Sequence, residues 1–380
     1  MQNFYPKQYL SDSEYEINHN YLKTQFIDYK EIFKEIEKVI ISCDYTLGET
    51  VDEVEQLISK EANTKFAIGV GSGTDAIFLS LKALGIGKGD EVITTTYTFY
   101  ATIGAIATTG AKPVFCDVSE DFNIDPSQIE SKINSRTKAI VPVHWAGRSC
   151  DMDRINAIAR KNNLFVVEDA CHAIKGEYKS KKCGSLGDLG CFSFHPLKNL
   201  NVWGDGGIIT TSNEELANKL RLMRNHGLLN RNTCVEFAYN SRLDTIQAVV
   251  AKYMIENKLS NITNSRINNA LRLDTLLAQI PQISLLKRNR DLREVFHLYI
   301  FKAEKRDELY KYLRNNGIDA KVHYPVPMHL QPAAKYLGYK EGDFPIAETY
   351  AKNTISLPVH EFINKEQIEK MSNAIKKFYS

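Results

Sequence analysis

The chain has 380 residues, 43% hydrophobic and 25% charged, the composition of an ordinary folded protein long enough for about two domains. Lys and Arg number 48 against 46 Asp and Glu, and a net charge of +2 leaves no electrostatic footprint for nucleic acid or an anionic membrane. Seven cysteines, at 43, 116, 150, 171, 183, 191 and 234, include no C-x-x-C pair, which argues for reduced thiols and against a disulfide framework or a zinc site.

The opening residues MQNFYPKQYLSDSEYE lack the basic-then-apolar order of a signal peptide, and no segment reaches about 18 uninterrupted apolar residues. A cytoplasmic protein is the expectation. After this polar arm, Ile32, Ile36, Val39 and Ile40 recur at helical spacing, and Val51, Val54, Leu57 and Ile58 do so again. Two amphipathic helices should open the fold.

From residue 66 to about 193, short β-prone runs (FAIGV, EVITT, PVFCDV, KAIVPVHW, LFVVEDA, GCFSF) alternate with helical ones such as DAIFLSLKAL and MDRINAIARKNN. The alternation predicts β-α units and a mostly parallel sheet covered on both faces. A helical pattern over 246–277 leads into VFHLYIFKA, the helix RDELYKYLRNN, GIDAKVHYP and a last helix from about residue 365. The expected division is a large domain over 1–255 with the N-terminal arm, and a smaller α+β domain over 256–380.

In open α/β sheets ligands bind at the carboxyl ends of the strands, and several residues of interest fall there. Asp169 closes LFVVED, where a buried carboxylate requires a cation or strong donors. Lys198 follows GCFSF and can approach the same edge, though a plain ion pair or a helix cap would use the same two residues. GVGSGTDA, residues 69–76, is a glycine-rich turn before a helix and suits an anion, but it is neither a P-loop nor a dinucleotide fingerprint, and a structural turn fits it as well. Phe99 offers an aromatic face or a core side chain, His172 follows Asp169 by three residues, and Ser193 lies on GCFSF.

Together these residues meet the demands of pyridoxal 5'-phosphate: a phosphate cup, a plate to stack on the ring, an Asp to keep the ring nitrogen protonated, and a Lys for the aldehyde. No metal site is expected.

GSGTDAIFLSLKALGIGKGDEVI, TFYATIGAI, VVEDACHAIKGEY, FSFHPLKNLNVWGDGG, RNHG and YNSRLDTIQA, in that order, resemble the motifs of the DegT/StrS-like sugar aminotransferases. The resemblance runs from about residue 25 to the C-terminus. It implies an α/β fold of the aspartate aminotransferase type (PLP fold type I): a mostly parallel, seven-stranded sheet sandwiched by helices, with a smaller C-terminal α+β domain. It makes Lys198 the residue that joins the cofactor, Asp169 the partner of the ring nitrogen, and Phe99 the ring plate. Gly73, Thr74 and Ser193 would hold the phosphate, and His172, where many members have Gln, would face the ring hydroxyl.

The resemblance further implies a homodimer with shared active sites, in which Asn240 reaches the neighbouring phosphate with Arg242 close by. The expected substrates are an amino donor, L-glutamate, and a nucleotide-linked keto-deoxy sugar, in amino-sugar biosynthesis for surface glycans such as lipopolysaccharide O-antigen or for glycosylated metabolites. HYPVPMHLQPA resembles the version in enzymes that aminate the 3-position, which puts Tyr324 and His329 near the sugar or its diphosphate; an ordered structural loop would look similar. Two departures stand out: His172 in place of Gln, and Asp205, which makes GDGG of the usual GEGG. Lys198 separates the chain from dehydratase relatives, which carry His there.

Overall fold

The six β-prone runs and a seventh strand at Gly207–Thr211 become one sheet. In a computed structural model, residues 15–19 and 21–380 are described; the start of the polar arm, residues 1–14, lies outside them. The strands are β1 Phe66–Val70, β2 Glu91–Thr95, β3 Lys112–Cys116, β4 Thr137–Val141, β5 Phe165–Asp169, β6 Leu189–Ser193 and β7 Gly207–Thr211. Their spatial order is β1-β7-β6-β5-β4-β2-β3. Only β7 runs against its neighbours, so six carboxyl ends share one edge.

Both faces of the sheet are apolar because both are covered. On one lie α1 Tyr29–Ser42 and α2 Glu49–Ala62, which pack Ile32, Ile36, Val51, Val54 and Ile58 towards Ala67, Phe192 and Ile208. On the other lies α3 Gly73–Ala83, whose Ala76, Ile77 and Leu79 meet Ile68, Val70, Val167 and Ile209, while α4 Tyr100–Thr108 adds Ala105 and Ile106. Helix α5 Met152–Lys161 covers β4 and β5, and α6 Glu214–Met223 packs beside α3. Ile40 departs from the expected apolar face: it is 52% exposed, on the outer side of α1.

The helical pattern over 246–277 is two helices, α7 Thr245–Asn257 and α8 Leu259–Leu277. Lys258 leaves the helical region at φ −125°, and its ammonium reaches back to Asp28 over 2.6 Å, a tether that apolar spacing cannot reveal. Beyond it come β8 Ile283–Ser284, β9 Tyr299–Ala303, α9 Arg306–Asn315, α10 Pro345–Asn353, β10 Thr354–Leu357 and α11 Lys365–Tyr379. These form a three-stranded sheet in the order β8-β9-β10 with its own apolar core.

VFHLYIFKA enters that sheet only from Tyr299. Its first residues are drawn to the large sheet instead: Val295 donates to Gly147 O over 3.0 Å and Leu298 to Ala146 O over 3.3 Å. An aromatic cluster of Tyr97, Phe115, Phe122 and Trp145 takes Leu298, Ile300, Phe344 and Tyr350 from the C-terminal part. This packing brings His297, Leu298, His323 and Tyr324 over the carboxyl ends of the strands.

Candidate active site

At that edge lies a cavity of about 320 Å³. A wider basin of about 980 Å³, formed by residues from 64–65, 184–188 and 211–218, is open to solvent and carries none of the residues singled out above. The chemistry belongs to the smaller space. Its walls hold Gly73, Thr74, Phe99, Asp169, His172, Ser193, Lys198 and Tyr324, and also Asp205.

Asp169 is the last residue of β5 and is 6% exposed. Strand alternation sends Glu168 to the opposite side, where it accepts from His144 and from the N–H groups of Gly184, Leu186 and Gly187. Asp169 turns to the cavity. Its Oδ2 accepts from Thr102 Oγ1 over 2.7 Å and its Oδ1 from the Cys171 N–H over 3.2 Å. Thr102 in turn bonds Thr98 over 2.9 Å.

Lys198 sits in the excursion between β6 and β7, whose ends are pinned by Phe194 N–H to Gly206 O and Val202 N–H to Phe194 O, at 2.8 and 2.9 Å. Asn199, next in sequence, donates to Val295 O over 3.0 Å, which ties the lysine turn to the C-terminal part. Burial lowers the Lys198 amine below its ordinary value, against the opposing pull of Cys171 and Asp169. A buried ammonium is costly, so the neutral amine gains weight near neutral pH. The Cys171 thiol beside it is pushed well above its ordinary value, chiefly by burial, and stays protonated.

The start of α3 faces the same space. Ser72 caps the helix by accepting from the Asp75 N–H over 3.0 Å, which leaves the N–H groups of Gly73 and Thr74 and the positive end of the helix for an anion. Gly73 is required: a Cβ there would lie 2.6 Å from Ser193 Cβ and 3.0 Å from Cys171 Sγ. Gly207 answers a similar demand, since its Cβ would lie 2.3 Å from Ser72 O. Phe99, 47% exposed, stands at the head of α4 with its ring 5.9 Å from that of Tyr324.

Four histidines, His172, His195, His297 and His323, line the cavity, of which only His172 was singled out by sequence. His297 packs on it with ring centroids 4.1 Å apart, and His323 comes from the C-terminal part. Burial lowers all four, with the Lys198 charge acting in the same direction, and His323 falls to about 4. They are neutral at physiological pH.

His329 is elsewhere. It is 2% exposed, with Nδ1 bonded to Thr96 Oγ1 over 2.7 Å and Nε2 to Glu348 over 3.0 Å, and it does not line the cavity. The expectation that it approaches the sugar is therefore corrected: Thr96 and Glu348 use both ring nitrogens to hold the turn at Met328–Leu330. Asn240 and Arg242 also stand outside the cavity of their own chain, Asn240 exposed and Arg242 bonded to Asn225 over 3.0 Å. Trp203 packs on Phe26 and Phe33.

The donor set fits pyridoxal 5'-phosphate. The cavity offers a helix N-terminus, a half-exposed aromatic plate, a buried carboxylate and a lysine of lowered basicity. Beside them is a buried His172 with no partner at Nδ1 among the described residues. An unpaired buried polar atom is expensive unless a ligand or water meets it.

Residues 27–376 match the model of the DegT/DnrJ/EryC1/StrS aminotransferase family. The chain is 43% identical over 352 residues to a "Pleiotropic regulatory protein" of Geobacillus stearothermophilus, with 92% of this chain and 94% of that one covered. It is 36% identical over 365 residues to the dTDP-3-amino-3,4,6-trideoxy-alpha-D-glucose transaminase of Streptomyces venezuelae, covering 94% and 96%. Among solved structures, S. venezuelae DesV in complex with a ketimine intermediate matches with a TM-score of 0.92 at 36% identity, over 94% of this chain and 97% of that one. The sugar aminotransferase Spr1654 of Streptococcus pneumoniae, described as putative and solved in its PLP form, matches at 0.85 and 27% identity over 92% and 97%. The chain thus belongs to the DegT/DnrJ/EryC1/StrS aminotransferase family and is a pyridoxal 5'-phosphate-dependent enzyme.

Proposed function

We propose that the protein moves an amino group from L-glutamate to the 3-keto position of a nucleotide-linked keto-deoxy sugar. The observation that carries this reading is one cavity in which Lys198 and Asp169 lie beside the start of α3. In this reading Lys198 Nζ would hold the cofactor at its aldehyde carbon and Asp169 would keep the ring nitrogen protonated. Gly73, Thr74 and Ser193 would hold the phosphate, Phe99 would stack on the ring, and His172 would face the ring hydroxyl.

When bound, the cofactor supplies an aldehyde and an electron-accepting ring. Lys198 Nζ would be the base that moves a proton between the donor's α-carbon and the cofactor, and in the opposite direction between the cofactor and the acceptor carbon. Its lowered basicity suits that duty. His172, His297 and His323, lowered by burial, add no charge beside Lys198. Thr102 and the Cys171 N–H keep the Asp169 carboxylate aimed.

Tyr324, on the cavity wall, is the substrate-side residue, and the HYPVPMHLQPA segment together with the 3-amino product named for the Streptomyces relative supports the 3-position. A homodimer with shared sites is part of the reading. The hairpin of Leu228–Asn230 and Thr233–Cys234 carries Leu229, Val235 and Phe237 at 63%, 52% and 103% exposure, just before Asn240. Such an apolar group on the surface favours a partner, and Asn240 with Arg242 would reach the neighbour's phosphate. The setting is cytoplasmic amino-sugar biosynthesis for surface polysaccharides, including O-antigen, or for glycosylated metabolites. No helix among the described residues is long and apolar enough to cross a membrane.

A regulatory role without catalysis, raised by the printed name of the Geobacillus relative, would leave Lys198 and Asp169 without use. The deciding experiment mixes the enzyme with glutamate and dTDP-, UDP- and GDP-linked 3-keto and 4-keto sugars and weighs the amino product. Product from 3-keto sugars, lost in Lys198→Ala, is expected. A preference for 4-keto sugars would overturn the positional assignment alone. Full transamination by Lys198→Ala, or colourless protein inert to glutamate, would overturn the enzymatic one.

A further inference from the structure

One hydroxyl outside the cavity joins two segments. Ser241 is 7% exposed; its Oγ accepts from the Gly71 N–H over 3.1 Å and donates to Asp75 Oδ2 over 2.8 Å. Gly71 precedes α3 and Asp75 lies in its first turn, where its own N–H is taken by Ser72 Oγ. The hydroxyl therefore closes a ring of hydrogen bonds around residues 71–75. There is no spare room in it, since a Cβ on Gly71 would stand 2.8 Å from Asp75 Oδ2 and 3.3 Å from Ser241 Oγ.

The other side of Ser241 is held as firmly. Its N–H donates to Arg224 O over 2.9 Å, Asn225 and Asn240 form an antiparallel bridge, and Arg242 reaches the Asn225 side chain over 3.0 Å. Arg224, 5% exposed, donates to Gly69 O over 2.8 Å and pairs with Glu55, whose Oε1 also takes the Gly69 N–H over 2.8 Å. Residues 69–75, 224–225 and 240–242 thus form one hydrogen-bonded block. Ser241 is its link between the turn and the loop.

We propose that Ser241 is a positioning residue for the cofactor phosphate. Its hydroxyl fixes the turn that presents the Gly73 and Thr74 N–H groups, and ties that turn to the loop bearing Asn240 and Arg242. The inference rests on the reading that the start of α3 takes the phosphate. Pre-set donors bind an anion without first having to be ordered, so freeing the turn should weaken the grip on phosphate and leave the grip on the ring unchanged.

The test compares Ser241→Val with Ser241→Thr in the full-length protein. The two side chains have equal bulk, so their difference reads the hydroxyl and not the packing. Dissociation constants are measured for pyridoxamine 5'-phosphate and for pyridoxamine, which lacks the phosphate. Ser241→Val should bind the phosphorylated ligand about tenfold more weakly than Ser241→Thr, the worth of one hydrogen bond, with equal affinities for pyridoxamine. Equal affinities of the two variants for both ligands, or a parallel loss on both, would overturn the proposal. Ser193→Ala separates it from the reading beneath it: a phosphate-selective loss there, with none in the Ser241 pair, removes Ser241 alone. Absence of a selective loss in Ser193→Ala and in the Ser241 pair removes the phosphate assignment and the proposal together.

Discussion

Thr102 Oγ1 donates a 2.7 Å hydrogen bond to Asp169 Oδ2, so that a residue of α4 sets the direction of the carboxylate that ends β5. Both groups are buried, at 1% and 6% exposure. Thr102→Val keeps the shape and removes the donor, which strands a buried carboxylate oxygen at a cost of about 1–3 kcal/mol. Chemical denaturation of the apoenzyme should show that loss, and kcat should fall with it. Thr102→Ser should recover both. Unchanged kcat in Thr102→Val would mean that the carboxylate needs no such support.

The pH dependence of cofactor uptake follows from the lysine. Only the neutral amine attacks an aldehyde, and burial lowers the Lys198 pKa below its ordinary 10.5. The rate at which apoenzyme captures pyridoxal 5'-phosphate should therefore rise with pH and level off at a lower pH than for an exposed lysine. His172, His297 and His323 are depressed well below their ordinary value by burial, His323 to about 4, so these three add no inflection near pH 6.5. Stopped-flow absorbance from pH 5 to 11 checks this. An inflection near 6.5 would show a histidine charging in the cavity.

His329 is held for its fold and not for the sugar. Its two ring nitrogens join Thr96 after β2 to Glu348 in α10. His329→Leu should lower the unfolding free energy by about 1–3 kcal/mol, because Thr96 and Glu348 lose a buried partner, and should leave KM for the keto sugar within about twofold of its starting value. A large rise in KM with unchanged stability would return His329 to the substrate.

The sheet and the cofactor cavity were legible because both follow from local signals. Short β-prone runs alternating with helical ones marked the strands, and Asp169 and Lys198 could be paired because residues that follow parallel strands emerge at one edge. His297 and His323 gave no such signal. They arrive from the C-terminal part, and their approach depends on the packing of Leu298 and Ile300 against Trp145 and its aromatic neighbours, a contact between distant segments. His329 misled for the same reason: it follows Tyr324 by five residues, but the short turn at Met328–Leu330 rotates it inward to a carboxylate on α10. Thr102 was hidden in an apolar helix. Its value lies entirely in what stands opposite.

Gly73 marks a tight point of the site. The first turn of α3 passes so close to the end of β6 that a methyl group on Gly73 would meet Ser193 Cβ at 2.6 Å, Cys171 Sγ at 3.0 Å and Ser193 Cα at 3.1 Å. None of these is the free end of a flexible chain, so the backbone itself must give. Gly73→Ala should push the helix start away from Ser193 and separate the two groups proposed to share the phosphate. Affinity for pyridoxal 5'-phosphate is expected to fall by at least about tenfold, and overpacking of this kind costs about 1–3 kcal/mol of stability. Ser193→Gly in the same chain removes the nearest clashing atom and should restore part of the stability while leaving the cofactor weakly held, because the hydroxyl goes with it. Titration of the cofactor and thermal melts of the single and double variants measure the two effects separately. If Gly73→Ala binds the cofactor normally, the start of α3 is not where the phosphate lies.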